Sequence, residues 1–285
     1  MNFVMVILNY NDSRRAWALA EKCSRFSIID NVIIVDNKST DDSVEFLLKK
    51  NYENIKIILS EKNNGFASGN NIGVRYAKDN LDAKYILFAN TDTIFTEKDV
   101  QKCLIQLESD ENLGLVSMRI KDIKGNEERS AWKFKTYWDY LLSNFWVYRH
   151  NTYKKATYKN FKTNFQYVDI VRGSFMLFKA DALSLVDYFD EGTFLYYEEE
   201  IIAYRLKRAK YKVGLLTDCS YIHNHISSKN QNIWFGKKNY DKSLRYFLSN
   251  YYKINILQKM FFDIAVKISD VETLLMQFLK RRKNV

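Results

Sequence analysis

The chain opens on an unbroken apolar run, Phe3-Val4-Met5-Val6-Ile7-Leu8, that stops at the polar Asn9-Tyr10-Asn11-Asp12. The same pattern returns at residues 32–35 and 85–89, and, interrupted by Lys56 and by Ser117 and Arg119, at 55–59 and 115–120: short, mostly apolar runs that give way to polar residues. Short runs of this kind, apolar on both faces and bounded by turn formers, predict buried strands of a parallel sheet. Between them lie stretches with helical spacing, at residues 14–26, after Ser39 or Thr40, after the loop 63–71, and from Thr96 to about Glu108. Ser39 or Thr40 is expected to cap its helix, with Asp41 and Asp42 in the first turn. Strand and helix alternating with short connections over some 120 residues predict an α/β fold with a mostly parallel, doubly wound sheet.

The second half is less regular. Residues 132–167 are rich in aromatics and lysines and read as an insertion over the sheet edge, partly helical between Thr136 and Tyr148. Strand character returns at residues 168–178, where Gly173 allows close backbone approach. A helix then opens on Glu198-Glu199-Glu200 and closes on Arg205, Lys207 and Arg208, and a last strand spans residues 211–216. Residues 254–279 place Ile254, Leu257, Phe261, Ile264, Ile268, Val271, Leu275 and Phe278 three or four apart, one face of an amphipathic helix.

Composition sharpens this. With 285 residues, 47% hydrophobic and 15% aromatic, the chain has material for a sizeable core. The charge of +10 is uneven: from Lys229 onward 12 Lys or Arg face 4 Asp or Glu, a net of +8, which leaves only +2 for everything before. The expected organisation is a body over residues 1–228 and a basic helical segment over 229–285. Such a segment points to an anionic surface as partner, membrane or nucleic acid. Cys23, Cys103 and Cys219 lack metal-ligand spacing and read as reduced and structural, in a cytoplasmic setting. The opening apolar run is expected to be a first strand and not a signal peptide, and no apolar run reaches the roughly 18 residues of a membrane span.

The candidate chemistry sits where strands end. Asp12, Asp36 and Asp92 follow the first, second and fourth strands at one sheet edge, the edge at which open α/β sheets bind ligands. Asn90 and Asp92 could hold a hard divalent cation completed by phosphates and water, or simply turn the chain into the next helix. One of the Glu residues at the head of the helix could serve as a general base; adjacent Glu point about 100° apart, so one faces the site. The pair His223 and His225 could add one metal ligand or be structural. A dinucleotide fold is disfavoured because no Gly-x-Gly-x-x-Gly follows the first strand.

Several of these stretches together resemble the family 2 inverting glycosyltransferases with a GT-A fold, most closely their rhamnosyltransferase-like members. They are Val6-Ile7-Leu8-Asn9-Tyr10-Asn11, Ile34-Val35-Asp36-Asn37-Lys38-Ser39-Thr40-Asp41, Asn64-Gly65-Phe66-Ala67 with Asn70-Asn71-Ile72-Gly73, Asn90-Thr91-Asp92, and Thr193-Phe194-Leu195-Tyr196 with Glu198-Glu199. The resemblance covers residues 2–228 and implies a GT-A, Rossmann-like, mostly parallel sheet flanked by helices, with a C-terminal helical extension. It implies transfer of a sugar from a UDP- or dTDP-sugar to a glycan or lipid-linked acceptor in bacterial capsule or surface polysaccharide synthesis. By position, Asn9, Tyr10, Asn11, Asp36, Asn64, Gly65, Asn70, Asn90, Thr91, Asp92 and Gly173 would bind the nucleotide sugar. Asp92 and His223 would hold Mn²⁺ or Mg²⁺, and Glu199 would be the base, with Glu198 as the alternative. Two features depart from the family pattern: Glu-Glu stands for the commoner Glu-Asp, and Asn90 opens the Asp-x-Asp place. The rival readings are a nucleotidyltransferase, which normally has a Gly-rich basic loop after strand 1 that is missing here, and a non-catalytic nucleic-acid- or glycan-binding module. Under the glycosyltransferase reading no nucleic acid partner is expected. The amphipathic tail then either lies on the inner face of the plasma membrane or packs on the body or a second copy, as a homodimer.

Overall fold

A computed structural model describes residues 2–159, 161–224 and 233–283, with side chains as far as Leu279. The elements, in chain order, are β1 (Phe3–Asn9), α1 (Ser13–Cys23), β2 (Asn31–Asp36), α2 (Ser43–Leu48), β3 (Ile55–Leu59), α3 (Phe66–Leu81), β4 (Tyr85–Ala89), β5 (Thr93–Ile94), α4 (Glu97–Glu108), β6 (Leu113–Lys121), β7 (Ala131–Trp132), α5 (Tyr137–Leu142), α6 (Trp146–Ala156), β8 (Phe165–Val168), β9 (Ile170–Val171), β10 (Phe175–Lys179), α7 (Ala180–Leu185), α8 (Glu198–Arg208), β11 (Lys212–His223), α9 (Ile233–Asn250) and α10 (Ile256–Lys283).

The main sheet runs β3-β2-β1-β4-β10-β6-β11-β5, with β8 paired to β11. β3, β2, β1 and β4 are parallel, as are β6 and β11. β10 is inserted antiparallel between β4 and β6. The sheet is therefore mixed and mostly parallel, between two apolar layers. One buries Phe3, Met5 and Ile7 against α1 and α4; the other buries Val4, Val6 and Phe88 against α3 and α7. This two-sided burial is what the unbroken apolar runs require.

Some boundaries differ from the sequence reading. Ser39 and Thr40 do not cap α2, which starts at Ser43 after Asp42. Their side chains bind the neighbouring loops instead: Ser39 Oγ donates to Asp36 Oδ2 over 2.6 Å, and Asn11 Nδ2 donates to Thr40 Oγ1 over 3.1 Å. The last strand is twice as long as expected, because a register irregularity between Leu216 and Ser220 lets it resume pairing with β6 through Ile222. Thr96 caps α4, in a capping box with Asp99.

A third apolar cluster joins the C-terminal helices to the body. Leu244, Phe247 and Leu248 of α9 and Phe262 and Ala265 of α10 pack on Tyr137, Tyr140 and Leu141 of α5 and on Tyr197 and Ile201. α10 turns its small residues inward, and Ser269 Oγ donates to the Asn144 carbonyl over 2.9 Å. The apolar face anticipated from spacing does not pack on the body. Ile254 is buried, but Leu257, Phe261, Ile264, Ile268, Val271, Leu275 and Phe278 are 47 to 65% exposed. Among the described residues no helix is long and apolar enough to cross a membrane.

Candidate active site

The first part of the site is the loop pair after β1 and β2. Asp36 is buried and accepts three hydrogen bonds, from Asn9 Nδ2 at 2.7 Å, Ser39 Oγ at 2.6 Å and Ser39 N at 2.9 Å. Asn11 has a left-handed φ of 56° and binds Ser39 and Thr40 across the gap. Asn9 and Asp36 thus fix the loops to each other, while Tyr10 projects from them, 47% exposed. An exposed ring on a fixed base offers a platform on which a flat heterocycle can stack.

The second part is the end of β4. Asp12 accepts the Thr91 hydroxyl and Arg15 Nε, so the loops after β1 and β4 meet there. His223, at the end of β11, brings Nε2 within 3.2 Å of Asp92 Oδ1, and both side chains are largely buried. β5 makes this meeting possible: its Thr93 and Ile94 pair with His223 and Ile222. One carboxylate and one imidazole fit an intermediate cation such as Mn²⁺, which accepts both oxygen and nitrogen. No group of three or more His, Cys, Asp or Glu side chains gathers among the described residues, so the donor set needs ligands from elsewhere. His225 lies outside the described residues.

The third part is the head of α8. Two consecutive left-handed residues, Tyr196 at φ 72° and Tyr197 at φ 71°, turn the chain into the helix. Such backbone costs about 1–3 kcal/mol per residue and persists only where its surroundings hold it. They do so here: Phe66 N donates to the Phe194 carbonyl over 3.0 Å, and Asn71 exchanges side-chain hydrogen bonds with both backbone groups of Phe189. Gly65, at φ +98°, admits this approach; a Cβ there would meet the Phe194 oxygen at 2.1 Å. Gly65 thus positions the acidic loop. Asn70, also named from sequence, is buried and donates to the Phe66 carbonyl within its own helix, whereas Asn64 is exposed.

The three Glu differ sharply. Glu198 is buried, and burial first, then the charge of Glu199, pushes its carboxyl up to about 8. Glu200 accepts from Trp132 Nε1 over 3.0 Å and is raised to about 7, by burial first and then by Glu199. Glu199 is half-buried and accepts from the backbone N–H of Gly173 over 3.0 Å. A Cβ on Gly173 would lie 2.9 Å from Glu199 Oε1, so the glycine makes room for the carboxylate. The next residue ties this to the second part: Asn90 N donates to the Ser174 carbonyl over 3.0 Å.

Glu199 and Glu200 also line a cavity of about 770 Å³, whereas Glu198 does not. Its walls come from the β7–α6 insertion, the 195–200 loop, α9 and Thr273 of α10. Arg129 and Arg172 belong to it and were missed from sequence, although Arg172 adjoins Gly173. Their signal is tertiary: β7 pairs with β9 in a small antiparallel sheet, which brings the flanking stretches together so that both guanidinium groups approach the Trp132 ring.

The glycosyl transferase family 2 profile matches residues 6–184. The chain is 26% identical over 220 residues to the low-salt glycan biosynthesis hexosyltransferase Agl10 of Haloferax volcanii, covering 77% of this chain and 66% of that one. It is 29% identical over 164 residues to rhamnosyltransferase WbbL of Escherichia coli K12, covering 56% and 60%. It therefore spans a little under two thirds of these relatives. The fold is similar to mannosyltransferase PcManGT of Pyrobaculum calidifontis, solved with GDP-Man and Mn²⁺, at TM-score 0.58 and 12% identity over 95% of this chain and 73% of that one. It is similar also to residues 1–349 of S. aureus TarS with UDP-GlcNAc, at TM-score 0.57 and 14% identity over 93% and 70%.

Proposed function

Since the chain belongs to glycosyl transferase family 2, we propose that it moves a sugar from a nucleotide diphosphate to a hydroxyl of a glycan acceptor, with inversion, in surface polysaccharide synthesis. One observation carries this reading. The turn Gly173-Ser174 bonds Glu199 with its first residue and the end of β4 with its second, so a carboxylate facing a cavity is held beside the ligand-binding edge of the sheet. The hexosyl- and rhamnosyltransferase relatives support it, as do the nucleotide sugars held by the two solved structures.

Tyr10 stacks on the base of a UDP- or dTDP-sugar, with Asn9, Asn11 and Asp36 fixing that loop. Asn64, Gly65, Asn70, Asn90, Thr91 and Gly173 complete the wall of the donor site. Asp92 and His223 would hold Mn²⁺ or Mg²⁺, whose charge, when bound, neutralises the departing diphosphate. Glu199 takes the proton of the acceptor hydroxyl as its oxygen bonds to the anomeric carbon and the bond to the diphosphate breaks. The protein supplies one base and no nucleophile to the sugar, so the displacement is single and the configuration inverts. Glu198, raised to about 8 by burial and by the charge of Glu199, is the poorer candidate for the base, and unlike Glu199 it does not line the cavity.

Residues 1–228 form the glycosyltransferase body, and the basic segment 229–285 adds α9 and Thr273 to the wall of the cavity beside Glu199. The exposed apolar face of α10, followed in sequence by Lys280-Arg281-Arg282-Lys283, lies on the anionic inner face of the membrane, where a lipid-linked acceptor is met. A panel of nucleotide sugars incubated with the full chain and Mn²⁺ tests the activity. Release of nucleoside diphosphate from one donor above the rest supports it; no release from any donor, with folded protein and acceptor extract present, contradicts it.

A further inference from the structure

The cavity beside Glu199 carries more positive charge than a neutral sugar needs. Arg129, Lys135, Arg149, Arg172 and Lys237 line it, against Glu199, Glu200 and Asp241. Lys237 is spent on Asp241 at 2.6 Å and Asp270 at 2.7 Å, and Arg149 on the carbonyls of Ser143 and Asn144. Arg129 and Arg172 are different. Nε and Nη2 of Arg129 and Nε of Arg172 are buried with no hydrogen-bond partner among the described residues.

Buried charged donors without acceptors are costly. The nearby charge of Glu200 eases this cost at Arg129, but that carboxylate gives these nitrogens no hydrogen bond; it accepts from Trp132 instead. Arg129 is locked in place by two rings, its guanidinium 4.2 Å from the Tyr153 centroid and 4.3 Å from that of Trp132. Arg172 stands beside it, its backbone N–H bound to the Ser130 carbonyl and its guanidinium 6.0 Å from the Trp132 ring. Two arginines held side by side present the planar donor pairs that match phosphate oxygens. Tyr10, Asp36 and Asp92 do not line this cavity, so its arginines stand apart from the residues assigned to the nucleotide and the metal.

We propose that Arg129 and Arg172 bind a phosphate group of the acceptor and so orient its hydroxyl toward Glu199. The inference rests on the glycosyl-transfer reading and narrows it to acceptors that carry phosphate, either within a glycan chain or in the diphosphate that joins a glycan to a lipid.

The test is calorimetric titration of the full chain in EDTA with glycerol 3-phosphate, farnesyl diphosphate and, as the neutral control, glycerol. Both phosphates should bind and glycerol should not. Arg172→Gln and Arg129→Gln should each weaken phosphate binding about 10-fold or more, the range of charge-assisted hydrogen bonds. Arg129→Lys, which keeps the charge but not the fork, should fall between, and guards against a glutamine variant that does not fold. Asp92→Asn should leave phosphate affinity unchanged. Farnesyl diphosphate at least about 10-fold tighter than glycerol 3-phosphate identifies the lipid diphosphate as the source; similar affinities identify a glycan phosphate. Equal affinity in wild type and both arginine variants, no phosphate binding at all, or loss of binding in Asp92→Asn overturns the proposal. UDP and dTDP with Mn²⁺, titrated separately, report on the donor edge alone. A nucleotide that fails to bind there refutes the transfer reading whatever the phosphate result.

Discussion

The two sides of the site treat their polar groups in opposite ways. On the donor edge the carboxylates are satisfied by their neighbours: Asp36 accepts three hydrogen bonds from Asn9 and Ser39, and Asp12 joins Thr91 and Arg15. On the cavity side two are buried and unspent: Arg129 and Arg172 each keep polar atoms without a hydrogen-bond partner among the described residues, as does Glu198 behind the cavity wall. The first pattern builds a rigid frame that costs nothing to reorganise when ligand arrives. The second stores cost in the free protein that a ligand or a proton removes. Substitutions on the donor edge should therefore damage the frame, and substitutions in the cavity should change pH and ligand responses while sparing the fold.

The largest contrast is expected from metal and donor. Asp92→Ala should abolish the stabilisation that UDP or dTDP gives in the presence of Mn²⁺, as EDTA should in the wild type. Thermal shift checks this, and a nucleotide shift insensitive to both EDTA and the substitution would remove Asp92 from the donor site.

Next is Asp36→Ala. It leaves Asn9 Nδ2 and the Ser39 donors without their acceptor in a buried loop, so urea unfolding should show a loss of about 1–3 kcal/mol, the cost of unsatisfied buried groups. Wild-type stability in that variant would mean the loop frame is not built as described.

A smaller effect, with a pH signature, is expected at Glu198. Its carboxyl is raised to about 8 by burial and by Glu199. The native state then holds a proton that the unfolded chain loses above its ordinary value near 4.5, so stability is full below that value and falls as pH rises toward 8. Glu198→Gln should match the wild type near pH 5 and melt higher near pH 8. Parallel melting curves for the two proteins across that range would contradict the assignment.

The smallest is at the tail. Deletion from Ile256 onward should release the protein from anionic liposomes at low salt but not change its behaviour toward neutral ones. A dimer that becomes a monomer on the same deletion would instead assign the exposed face of α10 to a second copy.

Much of this architecture is legible in the sequence because burial on two faces leaves unbroken apolar runs. β1 to β4, the cap at Thr96 and the charge polarity of α8 follow from local rules alone. What escaped depends on distant parts of the chain meeting. β10 lies antiparallel in a parallel neighbourhood because of the strands beside it, not because of its own residues. β11 hides its second half behind Thr217-Asp218-Cys219-Ser220, where the register slips, so His223 reads as a loop residue rather than as the strand end that meets Asp92. On α10 the spacing marked the wide apolar face, but the stripe of Ala265 and Ser269 is small enough to let α5 come close, and the body took that face. Among the three Glu, sequence could only leave the choice open; the cavity wall sets Glu199 and Glu200 apart from Glu198, and the N–H of Gly173 sets Glu199 apart from Glu200, which accepts from Trp132.

The account stands most directly on that separation. Turnover of the best nucleotide sugar should be compared in Glu199→Gln, Glu198→Gln and wild type at pH 7, with donor affinity measured alongside. Glu199→Gln should lose about 10² or more in rate, the usual contribution of a general base, with donor binding intact, while Glu198→Gln keeps most of its activity. A dead Glu198→Gln beside an active Glu199→Gln would contradict the account.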